Sequence, residues 1–277
     1  MPATLASHVR LTPNHIAQYH AEGYTLFRDN VLSAAKFAGL KSRFERILAN
    51  RPAGMRPEQL DVPHFLYPEL FEWLFDDQVL NLVESLIGPD IALYSSHFLC
   101  KPPGDGKRVP WHEDSSYWRG TFPEDQMDVC TMWLAIDDSD EGNGAMQIIP
   151  GTHLGKGGYS DYEPVTDRDR SAFDQEIRSH LFNAKRAVTC SLKANQASLH
   201  HAKLMHGSPL NTSNRRRCGY TMRYISTRCH FNHELRGKGH QMYLARGTDH
   251  AGNRYGDPSK PALDLLAGRG SLFRSGH

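Results

Sequence analysis

The sequence predicts a mainly β protein, a sandwich or barrel of short strands buttressed by N-terminal helices. Three observations carry that reading. Capped, amphipathic helical stretches fall before residue 88, and strand patterns dominate after it. From Ile91 to Ser226, short apolar and β-branched runs alternate with turns bearing Gly, Pro and Asn. The length, 277 residues, is one at which all-β folds often form a single domain. The expected organisation is one domain over 1–277. A helical buttress occupies about 12–88, a β core about 91–226, and a lid or tail about 227–277.

Each element has a local reason. Thr12 before Pro13 reads as an N-cap with proline at the first helical position, so a helix runs to about Glu22 and ends at Gly23. Tyr24 to Phe27 reads as a strand. Ser33 caps a second helix to about Asn50, with Phe37, Leu40, Phe44, Ile47 and Leu48 on one face. Residues 51–68, rich in Pro and polar side chains, read as loop, and a third helix spans Asp77 to Ile87 before Gly88-Pro89. Strands are expected at Ile91–Lys101, Val109–Asp114, Val129–Ile136 and Ala145–Ile149. Four more follow at Ala187–Leu192, Ala197–His201, Lys203–His206 and Gly219–Ser226. Residues 155–185 show no clear period, and connections of that length are usually functional or mobile. The tail from Arg236 is polar and Gly-rich.

Composition excludes several classes. There are 32 basic and 31 acidic residues, and no basic run exceeds Arg215-Arg216-Arg217, so nucleic acid is not an expected partner. No apolar run approaches a membrane span, and the N-terminus lacks a cationic-then-apolar signal pattern. Five cysteines without CxxC pairs argue against a disulfide framework and a structural zinc site, and favour a reducing, cytoplasmic compartment. The excess is in histidine, of which there are 16, and it mildly favours metal chemistry.

The chemistry centres on Trp111-His112-Glu113-Asp114. In an extended strand alternate side chains face the same way, so His112 and Asp114 converge while Glu113 turns out towards solvent. An imidazole and a carboxylate are two of the three ligands of a facial triad, which leaves the opposite metal face open. A lone His-x-Asp is a weak signal. It is strengthened by His206-Gly207-Ser208-Pro209, a histidine at a strand end at the third-ligand position. Arg217, eleven residues on, would be returned towards His206 by a hairpin and could grip a carboxylate with two parallel hydrogen bonds. His153 reads as a turn histidine bonding backbone, His200 and His201 as packing or supporting residues, and Arg215 and Arg216 as a solvated turn face.

With these motifs in place, the chain resembles the phytanoyl-CoA dioxygenase (PhyH) family of Fe(II)/2-oxoglutarate-dependent oxygenases. The matching residues are Lys101-Pro102-Pro103, His112-x-Asp114, Trp133, Asn143-Gly144, Pro150-Gly151-Thr152-His153 and His206-Gly-Ser208 with Arg217. The resemblance implies a double-stranded β-helix (jelly-roll, cupin-like) core with the metal inside one end. It implies His112, Asp114 and His206 as iron ligands, Arg217 on the far carboxylate of 2-oxoglutarate, Ser208 assisting it, and Trp133 lining the cosubstrate pocket. His97 falls on a strand position that reaches the cosubstrate. The sequence is also similar to the family's small-molecule hydroxylases, ectoine hydroxylase among them, over His112-x-Asp114-xxx-Trp118. That places Trp118 at the substrate, with a core position as the open alternative. Family members that halogenate have Ala or Gly at the carboxylate position, so Asp114 implies hydroxylation of an unactivated C–H, with O2 consumed and succinate and CO2 released.

The substrate is expected to be a small polar metabolite, such as an amino acid, an aminophosphonate or a natural-product intermediate. Lys107, Arg108 and Arg119 flank the motif strand and read either as surface charge or as recognition of an anionic or zwitterionic substrate. Two other classes stay open: a non-catalytic jelly-roll ligand-binding protein, and a metal-dependent hydrolase on the same triad, which would need a general base near the open metal face. Residues 155–185 and 236–277 are the expected lid. Oligomeric state is not legible.

Overall fold

The computed structural model describes residues 9–123, 128–155, 161–236 and 239–267. Its N-terminal third is helical where the caps require it. Helix α1 (Pro13–Glu22) starts at Thr12, whose side chain accepts from His15 N, and ends at Gly23, left-handed at φ 84°. Strand β1 (Tyr24–Phe27) follows, then α2 (Ala34–Ala49), capped by Ser33 and burying Leu40, Phe44 and Ile47. The stretch expected as loop carries the short strand β2 (Leu60–Asp61) and leads to α3 (Phe71–Leu74). Helix α4 (Asp77–Ile87), capped by Asp76, buries Val79, Leu80, Leu82, Val83 and Ile87.

The remaining strands are β3 (Ile91–Lys101), β4 (Val109–His112), β5 (Val129–Ala135), β6 (Gln147–Ile148), β7 (Tyr162–Pro164) and β8 (Gln175–Ile177). They continue with β9 (Val188–Thr189), β10 (Ala197–His201), β11 (His206–Ser208), β12 (Arg217–Ser226) and β13 (Tyr243–Arg246). They form an antiparallel seven-stranded sheet in the order β1-β10-β5-β12-β3-β13, with β2 also on β3, and a four-stranded sheet in the order β4-β11-β6-β9. Together they make the jelly roll that the resemblance implied.

Period-two alternation sorts the side chains of the larger sheet. One face presents Phe98, Cys100, Cys130, Met132, Leu134, Leu199, Cys218, Tyr220, Met222 and Tyr224 to the core shared with α2 and α4. The other presents Leu99, Thr131, Trp133, His200, Arg217, Thr221 and Arg223 to a cavity between the sheets. The sandwich interior is therefore polar at this end, and the helices supply the apolar layer on the outer face.

Several strand boundaries differ from expectation. The strand expected over Val109–Asp114 ends at His112, and Asp114–Trp118 form a 3-10 turn. The strand expected over Lys203–His206 instead begins at His206, because Leu204 N bonds His201 O at 3.0 Å and closes a turn. The described part of the long connection contains a ribbon of β7 and β8. The described tail does not line the cavity: β13 adds to the edge of β3, and Arg246 is held by Asp77, Asn81 and Glu84 of α4.

Candidate active site

Strands β4 and β11 pair so that His112 and His206 lie directly opposite, with ring centroids 4.1 Å apart. Each ring is fixed by its own backbone. His112 Nδ1 bonds Pro110 O at 2.8 Å, and His206 Nδ1 bonds Leu204 O at 2.9 Å. A carbonyl only accepts, so each Nδ1 carries the proton and each Nε2 keeps its lone pair, the state a metal ligand needs. Asp114 follows through extended Glu113, and His112 Nε2 lies 3.9 Å from Asp114 Oδ1. The three ligand atoms lie within 4.8 Å of one another and all three residues are buried. Two neutral imidazoles and one carboxylate on one side of a cavity suit a divalent iron.

The carboxylate is held from the opposite sheet. Thr131 Oγ1 donates to Asp114 Oδ2 at 2.8 Å. Arg223 donates from Nε to Oδ2 and from Nη2 to Oδ1, each at 3.3 Å, and from Nη1 to Ser95 Oγ at 3.4 Å. Burial works to raise the Asp114 carboxyl, but the Arg223 guanidinium, then the nearby imidazoles, hold it well below the usual carboxylate range. Burial, reinforced by His206, pushes His112 well below its ordinary value, and burial lowers His206 too.

A cavity of about 420 Å³, its open mouth included, joins this cluster to Arg217. Arg217 is 2% exposed, its guanidinium lies 4.8 Å over the Trp133 ring, and Nε reaches Ser139 Oγ at 3.4 Å. Burial lowers its pKa to about 10, a cost that a bound carboxylate would offset. Lys101, opposite Arg217 in the sheet, donates from Nζ to Ser208 Oγ at 2.7 Å and also to Pro209 O. The Ser208 hydroxyl therefore accepts from Lys101 and keeps its own proton to donate. A buried cation with few protein partners, a hydroxyl and a flat aromatic wall suit one end of a dicarboxylate.

The structure brings His112, Asp114, His206, Ser208, Trp133 and Arg217 to this cavity and leaves the other expected residues out of its lining. His97 lies on the cavity-facing side of β3, but its Nε2 bonds Glu58 O at 2.8 Å and its Nδ1 lies 3.7 Å from Asp61. Trp118 packs in an apolar cluster with Tyr94, Phe122 and Phe231 and approaches the site only through Arg223, whose guanidinium lies 5.8 Å from its ring. Arg119 is exposed and Lys107 half-buried, and neither lines the cavity. Arg108 is committed to Asp167 and Glu176, where it ties β4 to the long connection.

Glu113 points away from the site as expected but is 1% exposed rather than solvent-facing, because the β7–β8 ribbon covers it and Tyr162 bonds its backbone N–H. Arg216 is not a solvated turn residue either: Glu45 and Asp137 grip it. His153 bonds His20 O, in line with its turn reading. Sequence reasoning missed Arg223, Thr131, Thr221 and Phe173. The spacing Arg217, Gly219, Thr221, Arg223 along one strand face would have pointed to two of them. Phe173, edge-on to His112 at 5.1 Å, comes from the patternless connection.

The sequence model described as Phytanoyl-CoA dioxygenase (PhyH) matches residues 19–219. The chain belongs to the phytanoyl-CoA dioxygenase family. It is 26% identical to a probable alpha-ketoglutarate-dependent hypophosphite dioxygenase of Stutzerimonas stutzeri, over 57% of this chain and 54% of that protein, about half its length. It is 23% identical to the ectoine dioxygenase of Bordetella parapertussis, over 78% of this chain and 76% of that one. Among solved structures, the non-heme monooxygenase ThoJ superposes with a TM-score of 0.71 at 23% identity, covering 92% of both chains, which is a likeness of fold. Family membership makes this chain a 2-oxoglutarate-dependent dioxygenase whose cofactors are Fe(II), 2-oxoglutarate and O2, and the His-Asp-His cluster fits that metal. Among the described residues, no helix is long and apolar enough to cross a membrane.

Proposed function

We propose that this dioxygenase hydroxylates an unactivated C–H bond of a small polar metabolite and releases succinate and CO2. The observation that carries the reading is the opposition of His112 and His206 across β4 and β11, beside Asp114, in the cavity that also presents Arg217. In this reading His112, Asp114 and His206 hold the iron on one face. Bound there with 2-oxoglutarate, the metal supplies the O2-activating chemistry that the protein's own side chains lack.

The side chains bind, orient and exclude. Arg217 pairs with the far carboxylate of 2-oxoglutarate, and Ser208, oriented by Lys101, donates to the same group. Trp133 forms the flat wall beside it, and Leu99, Val109 and Phe173 keep water away. Asp114 fills the third protein position, which favours hydroxylation over halogenation. A hydrolase reading needs a general base at the open face; among the described residues Asp114 is the only carboxylate in the lining, and His200 is the one lining histidine outside the triad. All five cysteines are free and buried, which suits the reducing, cytoplasmic compartment expected from the sequence.

The test is to add Fe(II) and 2-oxoglutarate without oxygen and record the weak visible charge-transfer band of the chelate. The band forms in the wild type and is lost in His206→Ala. A protein that binds metal without giving the band would favour the hydrolase or binding-module reading.

A further inference from the structure

The cavity carries more positive charge than the proposed chemistry uses. Arg217 and Arg223 line it, and Asp114 is the only carboxylate in the described lining. With the histidines counted as neutral, that is one positive charge in excess. An iron dication raises the excess to three, and 2-oxoglutarate, a dianion, returns it to one. Two charged groups behind the lining are left out of this count and act in opposite directions: Lys101, behind Ser208, adds to the excess, and Asp61, which acts on Arg223, reduces it. Uncompensated charge in a buried site is costly, so the complete reactant complex is one anion short.

Donors without full partners cluster in one part of the cavity. Arg223 spends three of a guanidinium's five N–H donors, each at 3.3–3.4 Å, the long end of the hydrogen-bond range. Thr221 stands two residues before it on the same strand face, and Thr221 Oγ1 has no hydrogen-bond partner in the described structure. His200 on β10 lies on the other side of Thr131, 4.8 Å from the His206 ring; neither of its ring nitrogens has a hydrogen-bond partner, and Nε2 lies 3.9 Å from Asp114 Oδ2. Both side chains line the cavity and both residues are 2% exposed. Buried polar groups are rarely left without a partner, and here a guanidinium with spare donors, a hydroxyl and an imidazole line the same cavity beside Asp114. The basic residues outside offer no competing site: Arg108 is neutralised by Asp167 and Glu176, and Lys107 and Arg119 are not in the lining.

We propose that the primary substrate is a small anion whose compact oxyanionic group, a carboxylate or a phosphonate, docks on Arg223 with Thr221 and His200. The carbon to be hydroxylated lies elsewhere on the same molecule. This inference rests on the function proposed above and narrows its substrate class. Arg223 then has two tasks, holding Asp114 and receiving the anion.

The experiment uses the anaerobic Fe(II)·2-oxoglutarate complex of the full chain and titrates in acetate, methylphosphonate and the neutral acetamide. Binding is read as a saturable shift of the chelate band without loss of its intensity. Acetate or methylphosphonate should shift the band, acetamide should not, and the tighter of the two anions tells carboxylate from phosphonate recognition. Thr221→Val, which leaves Asp114 untouched, should keep the band and weaken the anion about tenfold, as expected for losing a hydrogen bond to a charged group. Arg223→Gln should weaken it further. Should Arg223→Gln lose the band because Asp114 is released, Thr221→Val and His200→Phe carry the comparison. The proposal is overturned if neither anion shifts an established band, or if the anion binds wild type and Thr221→Val equally. Absence of the band in the wild type is a different result: it removes the proposed function, and this inference falls with it.

Discussion

Gly219→Ala is the substitution whose consequence follows most directly from the geometry. On the cavity face of β12, Gly219 lies between Arg217 and Thr221, and the Trp133 ring of the neighbouring strand occupies the space its side chain would need. A methyl group there would sit 2.6 Å from Trp133 Nε1 and closer still to Cε2 and Cζ2. Both strands are interior to the seven-stranded sheet, so the backbone cannot retreat and the ring must turn into the cavity. Overpacking of this kind costs about 1–3 kcal/mol, and each kcal/mol lowers Tm by roughly 2–4 °C in a domain near this size. The displaced ring also leaves the Arg217 guanidinium, a contact worth about 0.5–2 kcal/mol, so 2-oxoglutarate should bind about 2- to 30-fold more weakly. Titrating 2-oxoglutarate against the anaerobic chelate band measures the affinity, and thermal denaturation measures the stability. A smaller ring makes room, so Gly219→Ala should cost less in a Trp133→Phe background, and the two changes should be non-additive. If Gly219→Ala left both affinity and Tm unchanged, the argument that Trp133 is wedged between Gly219 and the cosubstrate would be refuted.

Other consequences can be measured on the same protein. Arg217→Ala should raise the 2-oxoglutarate concentration needed for the chelate by the equivalent of about 2–5 kcal/mol with Tm nearly unchanged, because a desolvated carboxylate loses its partner; an unchanged titration curve would remove Arg217 from the cosubstrate site. Asn195, left-handed at φ 69°, accepts from Leu32 N at 2.9 Å and donates to Leu32 O at 2.7 Å. Asn195→Ala strands both groups at about 1–3 kcal/mol each, so a urea midpoint equal to wild type would contradict that account. Burial holds His200 at about 3 and His201 at about 4, against an ordinary value of 6.5. The folded state thus binds fewer protons than the unfolded one, so their contribution is full above about pH 6.5 and is lost as pH falls towards the folded values. The Tm of the metal-free protein should fall over that window, and His201→Gln should flatten part of the slope; a wild-type Tm independent of pH there would refute the sign.

The sequence by itself determined the local parts. Thr12, Ser33, Gly23 and Gly88 bounded helices because capping chemistry acts within a few residues. His112-x-Asp114, His206 and Arg217 were legible because short-range spacing and strand polarity fix where such side chains can point. The residues whose surroundings it did not give are those held by a distant partner. Trp118 read equally as a substrate contact or a core residue, and Tyr94 and Phe122 pack around it. Arg108 read as surface charge or as an anion contact, and its partners Asp167 and Glu176 lie far along the chain. Lys107 and Arg119 sit beside the motif in sequence and outside the cavity in space.

Tertiary structure alone decided what stands opposite the ligands. Asp114 meets Arg223, more than a hundred residues away, because β5, β12 and β3 pair in one register while β4 and β11 cross above them. A sequence states the period of each strand and hence which residues share a face. It does not state the register between strands or the stacking of one sheet on the other. The charge of the cavity, and with it the substrate class inferred here, is set at that level.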